Sequence, residues 1–372
     1  MSDVQGDLAL RFPQNPIVTP ADVRPSRPDL TVQCVLNPGA FRYDGRTGLL
    51  LRVAERPAQE PAWVTAVVRR SNGSEGIETI RFRRGDPDLD ASDPRVVTYR
   101  GDAYLTTLSH LRLAWSDDGI RFRVDERPTL EGSGPQETFG IEDCRVTQLG
   151  ATYCLTYSAV FARGYGVGLI TTQDWVHFER HGMILPTPNK DSAVFPEKIG
   201  GAYRILHRPT SATFGGSDIW TAQSPDLLHW GDHRCIACTR PGQWDSARIG
   251  AGAAPILTDH GWLAIYHGAD DSNRYCLGVL LLDHDDPTRV IARGPNPVME
   301  PSADYERRGF FGNVVFSNGH VVDGDRVTVY YGASDEVVCG AELQISALLD
   351  QLNPVDKSMA PTRPAPDPSP TQ

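Results

Sequence analysis

The sequence has no long apolar segment and no excess of positive charge. No run approaches the roughly 18 consecutive apolar residues that a membrane-spanning helix requires. The N-terminal segment MSDVQGDLAL lacks the apolar region of a signal peptide, so we expect a cytoplasmic protein with no membrane partner. Acidic residues outnumber basic ones by 47 to 36, giving a net charge of −11. This balance argues against a nucleic-acid partner, because such binding requires clustered lysine and arginine.

Metal-binding patterns are also scarce in the sequence. The seven cysteines are scattered. The one closely spaced pair, Cys235 and Cys238, has neither a second pair nor histidines at the short spacing that structural zinc sites use. Reduced structural thiols in a cytoplasm are the simpler interpretation of this pair. We therefore predict no metal and no cofactor.

Three segments of similar sequence indicate a repeated structure. Each contains serine or threonine, a polar turn and then an aromatic residue, and they occupy residues 116–122, 172–178 and 224–230. Residues 93–96 (DPRV) and 143–146 (DCRV) form a second similar pair with comparable spacing. A period of about 50 residues is typical of β-propeller blades and other stacked supersecondary units.

Short segments rich in β-branched and aromatic residues lie between the repeats and predict strands. No amphipathic helical pattern is comparably clear. Five units of about 54 residues would fill about 270 residues. The sequence thus predicts an all-β fold, a five-bladed β-propeller over residues 11–350 with its active site in the central channel. An N-terminal extension over residues 1–10 would precede it, and a proline-rich, disordered tail over residues 351–372 would follow.

One pair of carboxylates stands before a predicted strand. Glu142 and Asp143 precede Cys144 and Arg145, after a glycine-containing segment. A carboxylic acid held near an apolar or anionic site can stay protonated and act as a general acid. A turn aspartate paired with Arg145 explains the same residues, and for Asp143 taken alone this is the commoner situation.

Four side chains that can carry a positive charge lie in short, turn-rich contexts: Lys190, Arg208, Arg248 and His267. Arginine suits forked contacts to an oxyanion, and lysine supplies a point charge. Scattered surface charge is the alternative for each of them taken singly. Asp335 ends another predicted strand, where a short acid can bind sugar hydroxyls or cap a turn.

An ordered set of motifs covers residues 10 to 350. It comprises segments 37–40, 50–53, 104–110, 140–145, 195–198, 207–209, 247–252, 261–268, 281–283, 305–306 and 330–335. Together they resemble glycoside hydrolase family 130, the mannoside phosphorylases and related mannosidases. The resemblance implies a five-bladed propeller and an inverting reaction at a β-mannoside, with Asp143 as the acid. Cys144 stands where the family motif usually has proline, a difference that affects backbone stiffness rather than the acid.

The resemblance also implies roles for the other polar residues. Phosphate ligands would be Lys190, Arg208, Arg248 and His267. Contacts to the sugar would come from Asn37, Arg52, Arg145 and Asp335. Family members often have arginine and lysine at the positions of Lys190 and Arg248, and these exchanges keep the charge but alter the hydrogen-bond geometry.

Three functions compete for these residues. We favour an inverting phosphorylase that cleaves a β-mannoside with inorganic phosphate to give α-mannose 1-phosphate, the substrate being of the β-1,2-mannobiose or oligomannoside type or of the β-1,4-mannosyl-glucose type. An inverting hydrolase would need a base, for which Glu142, Glu197 and Asp335 are equal candidates, and four cations would serve no purpose there. A sugar-binding propeller without catalysis needs no acid at position 143. The sequence does not determine the acceptor sugar or the glycosidic linkage, and it is compatible with a homo-oligomer.

Overall fold

A computed structural model describes residues 7–70, 76–210 and 215–355, in which β-strands are the main regular structure. The helices in this part of the chain are short: a 3₁₀ turn at Pro20–Asp22, α1 at Asp304–Arg307 and α2 at Ile345–Asp350. Among these residues we find no helix with the length and apolarity needed to cross a membrane. The all-β class predicted from the sequence is confirmed.

The strands are joined by short turns and by several longer loops. The first half of the chain contains β1 (Leu10–Arg11), β2 (Leu30–Tyr43), β3 (Arg46–Pro57), β4 (Trp63–Arg69), β5 (Ile77–Arg83), β6 (Leu89–Asp90), β7 (Val96–Tyr99), β8 (Asp102–Leu105), β9 (Leu108–Ser116), β10 (Arg123–Val124), β11 (Ile141–Leu149), β12 (Thr152–Phe161), β13 (Gly164–Thr172) and β14 (Phe178–Leu185). The second half contains β15 (Asn189–Val194), β16 (Tyr203–Pro209), β17 (Ile219–Ser224), β18 (Gly231–Ala237), β19 (Arg248–Ala251), β20 (Ile256–Thr258), β21 (Gly261–Ala269), β22 (Tyr275–Leu282), β23 (Val290–Arg293), β24 (Val315–Asp323), β25 (Arg326–Ala333), β26 (Val337–Gln344) and β27 (Asn353–Pro354).

Five antiparallel sheets of four strands or more make up most of the structure. Their strand orders are β2-β3-β9-β10, β11-β12-β13-β14, β15-β16-β17-β18, β19-β21-β22-β23-β27 with β20 beside β21, and β24-β25-β26-β1. Two smaller sheets, β4-β5 and β6-β7-β8, are inserted between β3 and β9. We call β2, β11, β15, β19 and β24 the first strands, because each begins its sheet.

The repeat segments of the sequence are the turns between the third and fourth strands of three successive sheets. In each turn one aspartate (Asp118, Asp174 or Asp226) accepts hydrogen bonds from the backbone N–H groups two and three residues further on. Asp283 does the same in the fourth such turn, a copy that sequence comparison missed because no aromatic residue follows at the same spacing. The match between residues 93–96 and 143–146 was wrong, because the former reach β7 of a small sheet and the latter lie in first strand β11.

The hydrophobic core lies between neighbouring sheets. Phe195 and Trp262, from successive sheets, meet edge to face with ring centroids 5.2 Å apart, and Phe41 and Trp175 stack between two other sheets with ring planes 8° apart. All four are buried. Such pairs contribute about 0.5–1.5 kcal/mol beyond the burial of their area. Aromatic contacts of this kind hold adjacent sheets in fixed positions.

Both ends of the described chain pair with a sheet. β1 pairs with β26, and β27 pairs with β23. Residues 1–6 of the predicted extension lie outside the described residues. So do residues 356–372 of the predicted tail, which carry five of its prolines.

Candidate active site

The first strands of four sheets carry the same irregularity. Bulges interrupt the pairing of β2, β11, β15 and β24. Asn37, Asp143 and Asp191 lie in the first three bulges, with φ values of 46°, 51° and 54°. Asparagine and aspartate tolerate this left-handed conformation better than most residues, and a bulge re-aims the side chain that it carries. The bulges thus turn three polar side chains out of the normal strand alternation.

A cavity of about 290 Å³ lies beside these bulges. Its wall contains six of the nine residues predicted for the site, namely Asn37, Arg52, Asp143, Lys190, Arg208 and Asp335. Glu142 and several aromatic side chains, including Tyr165 and Tyr275, line it as well. A larger, more open hollow of about 1000 Å³ beside Ser109 and Arg180 contains none of the nine. The predicted residues therefore mark the smaller cavity.

Asp143 is buried and held by two donors. Its Oδ1 accepts hydrogen bonds from Asn37 Nδ2 and Arg52 Nη1, both at 3.0 Å. Burial by itself raises the pKa of this carboxyl, but the charges of Arg52, Lys190 and Arg145 outweigh burial and hold the pKa below its ordinary value. Without a ligand Asp143 is therefore ionised at neutral pH. An anion that neutralised Lys190 would raise the pKa of Asp143.

Glu142 shares Arg52 with Asp143. Arg52 Nη2 donates to Glu142 Oε1 at 2.7 Å, and Ser109 Oγ lies 3.4 Å from the same oxygen. Burial raises the pKa of Glu142 against the opposing charge of Arg52, and the negative charge of Asp143 raises it further. Neighbouring carboxyls of this kind titrate as a pair. When the pair holds one proton and no ligand is bound, the opposite pKa shifts place that proton on Glu142 rather than on Asp143.

Lys190 and Arg208 are the cations on the cavity wall. Lys190 forms no ion pair with any described residue, and its Nζ lies 5.7 Å from the ring centroid of Tyr165. Arg208 Nη1 pairs with Asp191 Oδ2 at 2.9 Å, while its Nε has no hydrogen-bond partner among the described residues. Two positive groups thus face the cavity with unused hydrogen-bonding capacity.

Three other predicted residues do not line the cavity. Arg145 is fully buried and donates to the backbone oxygens of Asp143 and Ala251. Arg248 donates to Tyr275 Oη and to the side chain of Asn273, both at 2.7 Å. His267 is completely buried, and burial lowers its pKa to about 4. His267 is therefore neutral at neutral pH. Of the four predicted cations, Lys190 and Arg208 line the cavity, and Arg248 contacts it through Tyr275, which lines it.

Asp191 is a buried charged residue of the site that the sequence reasoning missed. Its carboxylate accepts from Arg145 at 3.1 Å, Arg208 at 2.9 Å and His267 at 3.2 Å. Although it is buried, these neighbours hold its pKa well below the ordinary value. Asp191 is thus the anion around which the basic residues are arranged. Its position could have been found, because Lys190-Asp191 repeats Glu142-Asp143 after 48 residues, at the bulge of the next first strand.

Gly250 of first strand β19 leaves room for this cluster. A Cβ atom built on Gly250 would lie 2.5 Å from both Asp191 Oδ2 and His267 Nε2. A carbon atom cannot lie so close to an oxygen or nitrogen to which it is not bonded, so any larger residue would push the two groups apart. The glycine in the sequence Arg248-Ile249-Gly250 is therefore required by the contact between Asp191 and His267.

Comparison with known proteins identifies the family of this chain. Residues 89–353 match the sequence profile of glycoside hydrolase family 130, described as beta-1,4-mannooligosaccharide phosphorylase. The beta-1,2-mannobiose phosphorylase of Listeria innocua is 46% identical over 92% of this chain and 98% of its own length. A 1,2-beta-oligomannan phosphorylase of Thermoanaerobacter is 42% identical over 64% of this chain and 79% of its own. This chain belongs to glycoside hydrolase family 130.

Solved structures extend the comparison. The Listeria innocua phosphorylase in complex with beta-1,2-mannobiose superposes with a TM-score of 0.90 at 45% identity, covering 92% of this chain and 98% of that one. A family 130 structure from work on glycoside hydrolases that target beta-1,2 mannosidic linkages has a TM-score of 0.71 at 21% identity, which shows a shared fold only. The predictions of an enzyme and of a mannoside phosphorylase are confirmed.

Asp335 is a further carboxyl on the cavity wall of this family 130 enzyme. It has a φ of 51°, and its carboxylate lies 3.7 Å from Arg95 Nη1. Arg95 is itself packed on the ring of Phe311. Burial raises the pKa of Asp335 to about 6, even though the charges of Arg95 and Arg52 oppose this. Asp335 is therefore a cavity carboxyl that titrates well above the ordinary range of an aspartate.

The raised pKa of Asp335 predicts a specific pH dependence of stability. Between about pH 4 and pH 6 the folded chain keeps a proton on Asp335 that the unfolded chain has lost, so the free energy of unfolding falls as pH rises through this window. A shift of about two pKa units corresponds to about 3 kcal/mol at most. Urea unfolding of the wild type and Asp335→Asn at pH 4, 5, 6 and 7 should show the stability difference changing by up to that amount. A difference independent of pH would contradict the assignment.

Proposed function

We propose that this enzyme cleaves β-1,2-mannobiose with inorganic phosphate, giving α-mannose 1-phosphate and mannose. The observation that carries the proposal is the cavity wall, where Asp143 faces two cations, Lys190 and Arg208, whose donors are not fully used. Such donors suit a phosphate dianion. A hydrolase would have no use for them, since its nucleophile is neutral water.

A five-bladed propeller with this cavity at its centre is part of the proposal. The first strand β2 contacts both β24 and β11, β11 contacts β15, and β15 contacts β19. The sheet of β19 in turn contacts β24 through β21 and β22. This cyclic series of neighbours supports five blades around one axis, with the bulges of the first strands at the shared centre.

Phosphate binding would prepare the acid. A dianion placed between Lys190 and Arg208 cancels the positive potential that keeps Asp143 ionised, so that the pKa of Asp143 rises and the proton of the Glu142–Asp143 pair becomes available to it. Phosphate would therefore serve both as nucleophile and as the ligand that loads the acid. This order explains how a carboxyl with a lowered pKa can act as a general acid.

The reaction itself requires little more from the protein. A phosphate oxygen forms a bond to the anomeric carbon from the face opposite the glycosidic bond, and that bond breaks. The proton of Asp143 passes to the departing oxygen, directly or through a sugar hydroxyl, and leaves a carboxylate. Because attack inverts the anomeric carbon, a β-mannoside gives an α-phosphate. Lys190 and Arg208 orient the nucleophile, which is the positioning part of catalysis.

The β-1,2 linkage is favoured by the relatives. The beta-1,2-mannobiose phosphorylase of Listeria innocua is 46% identical to this chain. A beta-1,4-mannooligosaccharide phosphorylase of Ruminococcus albus is 30% identical, and a 4-O-beta-D-mannosyl-D-glucose phosphorylase of Bacteroides fragilis 28%. Residues that read the acceptor sugar change with linkage, so the higher identity supports the β-1,2 substrate. A cytoplasmic location and a homo-oligomer remain predictions.

The test is to incubate the enzyme with β-1,2-mannobiose and with β-1,4-mannosyl-glucose, each with and without phosphate, and to identify the products. We expect mannose 1-phosphate from β-1,2-mannobiose only when phosphate is present. Arg208→Ala should raise the KM for phosphate by about 10- to 150-fold, because a charged hydrogen bond to an oxyanion contributes about 1.5–3 kcal/mol.

The matched control is Arg240→Ala. Arg240 also pairs with a buried aspartate, Asp245, at 2.8 Å, but neither residue lines the cavity. The KM for phosphate should stay unchanged in this variant. Release of free mannose without phosphate, at the same rate in wild type and Arg208→Ala, would contradict the phosphorylase and support the inverting hydrolase.

A further inference from the structure

A second cluster of chemically reactive side chains lies apart from the cavity. Cys235 is in β18, Cys238 follows that strand, and Asp218 precedes β17. One ligand atom from each of the three lies within 4.8 Å of the other two. The two sulfurs are 3.7 Å apart. None of these residues contributes to the proposed reaction.

The distance between the two sulfurs fits a shared zinc ion. Zinc–sulfur bonds of about 2.3 Å at a tetrahedral angle place two sulfurs about 3.8 Å apart, and a zinc–oxygen bond of about 2.0 Å places the oxygen about 3.5 Å from each sulfur. The observed sulfur–sulfur distance of 3.7 Å matches the first value. The two thiolates are soft ligands that favour zinc over magnesium or calcium, and a carboxylate oxygen is also a common zinc ligand.

The surroundings of Asp218 orient it as a ligand. The side chain is buried, and its Oδ1 accepts a hydrogen bond of 2.9 Å from the backbone N–H of Thr239. Metal-bound carboxylates usually have such a second hydrogen bond. Arg293 donates to the backbone oxygen of Cys238 at 2.7 Å, which places a positive charge near three ligands that are anionic when bound to metal.

We propose that Asp218, Cys235 and Cys238 bind one Zn²⁺ ion, with water as the fourth ligand. The sequence indicated structural thiols only, because the third ligand comes from the beginning of a different strand. The ion would join the segment before β17 to the end of β18. Ser217 of that segment accepts a hydrogen bond from the N–H of Ile249, the neighbour of Arg248. The proposed zinc ion would thus stabilise the segment that contacts the backbone next to Arg248, one of the predicted phosphate ligands.

Metal content and spectroscopy test this directly. The full chain is purified under reducing conditions and dialysed against Zn²⁺. Bound metal is then measured by inductively coupled plasma mass spectrometry. We expect one equivalent per chain, and none in the double variant Cys235→Ser, Cys238→Ser. With Co²⁺ as the probe, a thiolate-to-cobalt charge-transfer band should appear in the wild type. Asp218→Asn should weaken Co²⁺ binding at least about tenfold, since a lost anionic ligand reduces affinity.

Two controls keep the result interpretable. Cys154→Ser removes a buried thiol elsewhere and should keep one zinc per chain. Circular dichroism establishes that each variant is folded, and zinc should raise the Tm of the wild type but not of the double variant. Zinc retained by the folded double variant would overturn the proposal. Failure of the wild type to bind zinc would also overturn it, whether the two thiols are reduced or joined as a disulfide. The mass of the intact protein distinguishes these two states, because a disulfide lowers the mass by two hydrogens.

Discussion

Asp143→Asn is expected to lower kcat for phosphorolysis by about 10²- to 10⁴-fold, the range for loss of a general acid. The amide is nearly the same shape, and its oxygen can still accept from Asn37 and Arg52, as Asp143 Oδ1 does at 3.0 Å. It cannot supply a proton to the departing oxygen. Steady-state kinetics with saturating phosphate and β-1,2-mannobiose, together with thermal unfolding, would measure activity and fold separately.

Glu142→Gln is the matched control for this variant. Glu142 is adjacent in sequence, binds the same Arg52 and also faces the cavity. Because its part is to share a proton with Asp143 rather than to deliver it, we expect a smaller loss of kcat and an altered pH profile. If kcat fell further in Glu142→Gln than in Asp143→Asn, Glu142 would be the acid and Asp143 its partner.

Asp191→Asn is expected to reduce the free energy of unfolding by about 3–5 kcal/mol, because it leaves two buried arginines without their anion. Asp191 now pairs with Arg145 and Arg208. Phosphate should recover more of this stability than it adds to the wild type, since the released Arg208 faces the cavity. At saturating phosphate, each tenfold by which the variant binds phosphate more tightly than the wild type adds about 1.4 kcal/mol to its free energy of unfolding. Urea unfolding with and without phosphate measures it.

Asp245→Asn separates this effect from a general loss of stability. Asp245 is also completely buried between two arginines, Arg240 at 2.8 Å and Arg293 at 2.6 Å. Its replacement should cost a similar free energy of unfolding, but phosphate should stabilise it no more than the wild type. Equal recovery by phosphate in the two variants would mean that Asp191 does not organise an anion site.

Much of the fold was predictable because it depends on local chemistry. The turns at Asp118, Asp174 and Asp226 repeat since one short acid closes each turn with its own backbone, and such a pattern is visible in sequence. The fourth turn, at Asp283, uses the same bonds without the aromatic marker and was missed. Pairing between strands depends on distant residues, so the false match of residues 93–96 could not be recognised before the sheets were known.

Most residues of the site could be predicted from the sequence, but their burial and protonation states could not. Motif resemblance identified residues such as Asp143, Lys190 and Arg208, which do share a cavity. Burial decides the rest, and burial is a property of the assembled sheets. Burial makes His267 neutral and leaves Arg145 paired with Asp191. These two predicted ligands therefore lie behind the cavity wall and do not line the cavity. No pattern along the chain reports the resulting proton preference of Glu142 over Asp143.

The sheet that unites β1 with β24, β25 and β26 has a consequence for synthesis of the protein. β1 pairs with β26, and Asn15, just after β1, donates a hydrogen bond to Gly340 of β26, 325 residues later, so β1 leaves the ribosome long before its pairing partner. This sheet cannot assemble until β26 has been synthesised, whereas the sheets of β11–β14 and β15–β18 use only neighbouring segments and can form earlier. Contacts of such long sequence separation fold slowly. During that interval the edge of β26 is an open template, which a chaperone or a second nascent chain can reach before β1 does.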